Sequence, residues 1–118
     1  MQAIDRTYRM YLEDILLAMK RIAEYIEGQD FNGFMKDYKT VDAVIRNFEV
    51  IGEASKNLPD DFKEKYSYVP WHEMYYLRNK VSHEYFGIDY EIIWDVASNY
   101  LPSNKEQLEH ILDMEKGL

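Results

Sequence analysis

Apolar residues recur at three- and four-residue steps along most of this chain, which is the period of a helix face and not of a strand. Tyr8, Tyr11, Leu12, Ile15, Leu16, Met19, Ile22, Ala23 and Ile26 keep that spacing. They predict an amphipathic helix over about residues 5–27, and Gly28 stands where a left-handed C-terminal cap is expected. "FNGFMKDYKT" reads as a loop or a short turn of helix. A second helix follows over about residues 41–57, with Val44, Ile45, Phe48, Ile51 and Leu58 on its apolar stripe. Gly52 inside it costs roughly 1 kcal/mol relative to alanine, which points to close helix packing.

Proline and glycine punctuate the rest. "LPDDFKEKY" is a break followed by a short helix, with Pro59 suited to a first helical position. Pro70 opens a third long helix, "WHEMYYLRNKVSHEYF", which Gly87 can close. Asp89 suits the cap of "YEIIWDVASNYL", and Pro102 with Ser103 is expected to separate that segment from a final helix, "NKEQLEHILDMEK". There is no period-two alternation, internal repeat or low-complexity stretch. Four principal helices with short connections predict an all-α antiparallel bundle.

Composition narrows the class. The chain has 118 residues, 47% of them hydrophobic, which fits one globular domain over residues 1–118. Its longest apolar run, "ILLAM", is bounded by Asp14 and Lys20 and is too short to span a bilayer. The N-terminus lacks the apolar core of a signal peptide, so a soluble cytoplasmic protein is expected. With no cysteine there is neither a disulfide framework nor a thiolate metal site. The net charge of −8 is concentrated in residues 84–118, while residues 28–83 are nearly neutral. Phosphate binding draws on clustered Lys and Arg, so any nucleic-acid contact should be local and centred on that middle. The 11 tyrosines suit core packing with hydroxyls reaching water, or a self-complementary dimer face.

The chemistry gathers in "LRNKVSHEYFG", residues 77–87. On a helix Arg78, Ser82 and Tyr85 share one line, and Asn79, His83 and Phe86 the next. Arg78 and His83 are then about 140° apart, too far to grip one small group from a single straight helix. A second copy related by a two-fold axis would supply the missing geometry. These residues suit cleavage of an RNA phosphodiester. That reaction needs a base for the attacking 2′-hydroxyl, an acid for the leaving oxygen and positive charge on the non-bridging oxygens. Histidine titrates near neutrality and serves as base or acid, and the arginine fork matches phosphate oxygens. Asn79 can orient the imidazole or hydrogen-bond the phosphate. An Arg and a His five residues apart also occur on ordinary solvated helix faces.

Other arrangements offer less. Arg46, Glu49 and Glu53 lie near one face of the second helix, as an intrahelical salt bridge or as the wall of a cleft. His72 reads as a helix-start residue and His110 as a solvated one. The three histidines lack metal-ligand spacing, and Ser82 lacks the strand-turn-helix elbow of a hydrolase nucleophile. There is no P-loop and no dinucleotide fingerprint, so no cofactor and no metal is expected.

The Arg78, His83 and Tyr85 pattern, Arg-x4-His-x-Tyr in "RNKVSHEY", resembles the signature of the HEPN ribonuclease toxins called HepT, also described as DUF86 proteins. "YLEDILLAMKRIAEYIEG", "TVDAVIRNFEVIGEASKNLP", "VPW" and "YFGIDYEIIWDVASNYLP" resemble other segments of that family, so the likeness covers nearly the whole chain. It implies a four-to-five-helix HEPN bundle paired as a two-fold homodimer, with a composite RNA-cleaving cleft where the motif helices meet. Arg78 and His83 would be catalytic and Asn79 would support them, with Arg46, Glu53, Lys80 and Ser82 lining the cleft. The family further implies the toxin of a type VII toxin–antitoxin system. Its partner is a small MNT-type nucleotidyltransferase antitoxin that transfers AMP to the motif tyrosine, here Tyr85. The family usually has a small residue, often glycine, two positions before the motif arginine; Tyr76 stands there instead and would narrow the cleft or alter the approach of the paired helices. A non-catalytic HEPN module that binds a nucleotide or assists a nucleotidyltransferase, and a purely structural bundle, are the alternative readings.

Overall fold

The computed structural model describes the backbone of residues 2–75 and 89–115, and the side chains of all of these except residues 2–7. Among the described residues there are helices and no strands, as the periodicity predicts. The order is α1 (Gln2–Ile26), α2 (Phe31–Lys36), α3 (Tyr38–Asn57), α4 (Asp60–Lys65), α5 (residues 71–75), α6 (Tyr90–Asp95) and α7 (Leu101–Met114), with one π-helical turn, Val96–Tyr100, joining α6 to α7. α1 packs along α3 and against α7, and α2 bridges α3 and α6.

The apolar stripe of α1 forms the centre of this packing. Leu12, Ile15, Met19 and Ile22 are fully buried, with Tyr8, Tyr11, Leu16 and Ile26 half-buried beside them. Ala23, expected on the stripe, is exposed, and Ala18 is buried in its place. Ala23 lies about 100° round the helix from Ile22, on the outer side of the contact line. Gly28 takes φ +76 and ends α1 as anticipated. Asp30 then starts α2 by accepting a hydrogen bond from the Gly33 amide at 2.8 Å. The ring of Phe34, fully buried, packs 5.1 Å from that of Trp94, which fastens α2 to α6.

α3 begins at Tyr38, three residues before its first apolar contact, because Asp37 caps it. The Asp37 carboxylate accepts from the Thr40 amide at 3.2 Å and from the Thr40 hydroxyl at 2.6 Å. Those bonds, the hydroxyl's first, hold its carboxyl below the usual aspartate value. Val44, Phe48, Ile51 and Leu58 are buried along the expected stripe, Ile45 is half-buried, and Gly52 is buried among them. Pro59 stands just outside α4 as its cap, not at the first helical position.

Two features fix where α5 starts. The buried Trp71 donates its indole N–H to the Tyr66 carbonyl at 3.0 Å. Ser55, buried on α3, donates to the Ile51 carbonyl and reaches the Met74 sulfur at 3.6 Å. Farther on, Asp89 caps α6 by accepting from the Glu91 and Ile92 amides. The expected break at Pro102 does not occur, and the helix runs on from α6 into α7. Just before the proline the hydrogen bonding widens, with the Leu101 amide reaching the Val96 carbonyl five residues back. A widened turn relieves the clash of a proline ring with the preceding turn, and the ring's missing N–H is tolerated early in α7.

The C-terminal end of α7 is tied to the rest. The Glu115 carboxylate accepts from Lys65 at 3.0 Å and from the Tyr66 hydroxyl, while Arg9 donates to the Glu115 carbonyl at 3.4 Å. Burial pushes the Glu115 carboxyl up, but the bonds from Tyr66 and Lys65 outweigh it and leave it below the ordinary glutamate value. Desolvation, and then the bond to Glu115, raise the Tyr66 hydroxyl. Among the described residues no helix is long and apolar enough to cross a membrane.

Candidate functional site

Six residues singled out in the sequence, Arg78, Asn79, Lys80, Ser82, His83 and Tyr85, lie outside the described residues, as does Tyr76. The framework leading to them is described. Tyr75 is the last residue of that framework, and three residues of chain span at most about 11 Å even when fully extended. The Cα atom of Arg78 is therefore within about 11 Å of that of Tyr75 in any conformation. Trp71 and Met74, both buried, hold this end of α5 in the core, so the chain leaves for the motif from a fixed point.

α3 presents the other candidate residues. Arg46 and Glu53 are exposed and Glu49 is half-buried. Among the described residues the ion pairs are Lys63–Asp60 and Lys65–Glu115, so the intrahelical Arg46–Glu49 pair does not form. Asn47, beside Arg46, is buried and donates to the Ala43 carbonyl at 2.8 Å. That bond spends a polar side chain on the backbone of its own helix. His72 is exposed at the start of α5 and His110 is exposed on α7. No group of three His, Cys, Asp or Glu among the described residues could hold a metal ion.

The start of α5 forms a ridge between two concavities, since Pro70, His72 and Glu73 line both. One, of about 660 Å³, is apolar, walled by Phe48, Ile51, Met74, Val96, Tyr100 and Leu101. The other, of about 690 Å³, is polar and is bounded by the end of α3, by α4 and by α5. Lys56, Lys63, Glu64, Trp71 and Tyr75 line it, and the Lys56 ammonium lies 5.6 Å from the centre of the Tyr75 ring. Lys63 is held by the Ser55 carbonyl at 3.3 Å and by Asp60 at 3.9 Å. Both volumes are in the range that accepts a small organic ligand. Sequence reasoning did not find this pairing of Lys56 with Tyr75, because residues so far apart in the chain share no local periodicity. The one available signal was the place of Tyr75 three residues before the motif arginine.

A family model described as Ribonuclease HepT-like matches residues 15–111, which includes the whole Arg78–Tyr85 motif. A candidate RNase of Methanocaldococcus jannaschii is 52% identical over 104 residues, covering 88% of this chain and 86% of its own. Another candidate RNase, from Caldanaerobacter subterraneus subsp. tengcongensis, is 44% identical over 111 residues, covering 94% of this chain and 99% of its own. A protein of Thermococcus cleftensis named probable ribonuclease HepT is 43% identical over 108 residues, covering 92% of this chain and 98% of its own. No solved structure gives a significant match.

Proposed function

Because the chain belongs to the HepT-like ribonuclease family, we propose that it is a metal-independent endoribonuclease and the toxin of a type VII toxin–antitoxin pair. The observation that carries this reading is the Arg78-x4-His83-x-Tyr85 motif inside a chain that matches the family along residues 15–111. In the proposed reaction the ribose 2′-oxygen attacks the adjacent phosphorus. Its proton passes to a base and the P–O5′ bond breaks. The 5′-oxygen takes a proton from an acid, which leaves a 2′,3′-cyclic phosphate and a 5′-hydroxyl. His83 supplies the proton transfer, and Arg78 holds the charge on the non-bridging oxygens. Asn79 positions His83.

The angle between Arg78 and His83 on a straight helix supports a homodimer in which two motif segments meet, because a two-fold axis repeats each residue on the other side of the seam. Arg46, Glu53, Lys80 and Ser82 then line the cleft, and the exposure of Arg46 on α3 is consistent with that place. The partner in this reading is a nucleotidyltransferase that joins AMP to the Tyr85 hydroxyl. On a helix Tyr85 lies on the line of Arg78, so the added phosphodiester would set a negative charge and a bulky group against the arginine and exclude the substrate phosphate.

Expression in a bacterial host tests the reading. Wild type should arrest growth, and Arg78→Ala and His83→Ala should each restore it; equal toxicity of the variants would count against it. Co-expression with an MNT-type nucleotidyltransferase should add AMP units to the intact mass, and Tyr85→Phe should abolish them. AMP that persists in Tyr85→Phe would place the modification elsewhere.

A further inference from the structure

We propose that the polar concavity between α3, α4 and α5 binds the nucleotide next to the scissile phosphate of a single-stranded RNA, with its base on Tyr75 and its phosphate on Lys56. The inference rests on the ribonuclease reading for its substrate and on the described geometry for its site. The concavity has about 690 Å³ of space, enough for one nucleotide and not for a duplex. Tyr75 and Lys56 bring to it the two groups that single-stranded RNA needs, an aromatic face and an ammonium.

Connectivity keeps this site near Arg78. Tyr75 stands three residues before Arg78, and that tether is at most about 11 Å long. A phosphate gripped by Arg78 therefore has its neighbouring nucleotide within reach of the Tyr75 ring and of the ammonium above it. Lys56 lies over that ring. A bound nucleotide would exchange one favourable contact for two: the base takes the ring face, and the ammonium swings to the phosphate.

The charges around the site limit it to a single step of the strand. Lys63, the other cation on the wall, is already held by Asp60 and the Ser55 carbonyl. Asp60, Glu64 and Glu73 also line the concavity. Acids at that density would repel a continuous run of phosphates, so this is no electrostatic track. Neither of the two ion pairs among the described residues takes Lys56, which leaves its ammonium for a phosphate.

The test uses the full chain and a fluorescent 2′-O-methyl oligoribonucleotide, which lacks the attacking hydroxyl and cannot be cut. Tyr75→Ala should weaken binding about tenfold, while Tyr75→Phe, which keeps the ring, should bind as wild type does. Lys56→Gln changes an exposed side chain and should leave the fold intact. It should weaken binding about three- to tenfold and flatten its salt dependence by roughly one counterion. If wild type cleaves RNA while Lys56→Gln and Tyr75→Ala bind the probe as tightly as wild type, this proposal falls and the ribonuclease reading stands. If both variants lose binding but wild type cuts no RNA, the ribonuclease reading falls and the binding site stands. A wild type that does not bind the probe overturns the proposal outright.

Discussion

Glu115 shows how one side chain can hold distant parts of the molecule together. Its carboxylate takes hydrogen bonds from Lys65 and Tyr66 across fifty and forty-nine residues of chain. Such a contact leaves no mark in local periodicity, which is why the sequence showed the C-terminal segment only as a concentration of negative charge. The pH dependence follows from the direction of its shift. Glu115 binds its proton less readily folded than unfolded, so its contribution is present above the ordinary glutamate value of 4.5 and is lost as pH falls through the lower folded value. Tyr66 and Lys65 are both raised, so their share is complete below the ordinary values of 10.0 and 10.5 and is lost as pH climbs beyond them. Urea unfolding between about pH 7 and 3 should show wild type more stable than Glu115→Gln near neutrality, with the gap closing toward acid. A gap that stays constant would mean that the carboxylate charge does not matter.

At the scale of the helix, the long elements were legible and the junction at Pro102 was not. α1 and α3 each repeat their apolar positions over several turns, so the stripe Leu12–Ile15–Met19–Ile22 and its counterpart Val44–Phe48–Ile51 appeared in the pattern before the fold. Caps were readable too, since Asp89 and Gly28 bring a side-chain oxygen and a free φ where a helix must start or stop. Pro102 misled because a proline counts as a break only if the helix around it stays regular. Here the Val96–Tyr100 turn widens to five-residue hydrogen bonds and carries the helix past it. Gly28 offers the cleanest check at this scale. A methyl group there would meet no atom within 4 Å, so any cost of Gly28→Ala comes from φ +76 alone. Chemical denaturation should show a loss of about 1 kcal/mol. No loss would mean that the turn can be made without the left-handed residue.

For the whole molecule, charge and site stand in tension. A chain of net charge −8 that handles RNA must hold its cations where they count and cannot rely on a general field. The candidate site was legible in the sequence as chemistry, through Arg78, Asn79 and His83, and as a geometric problem, through their angle on a straight helix. Its surroundings were not. The concavity beside α5 is assembled from α3, α4 and α5, three elements that become neighbours only when the bundle closes.

In the proposed reaction Arg78 and His83 act together from two copies of the chain. Arg78→Ala and His83→Ala, purified singly and as a mixed dimer, can be assayed on single-stranded RNA in chelator beside wild type. Each variant alone should be inactive and wild type should leave 2′,3′-cyclic phosphate ends. A statistical mixture should recover about a quarter of wild-type activity, because half the dimers then carry one intact site of two. Variants that cut as well as wild type, or a mixed dimer as inactive as its parents, would contradict the account.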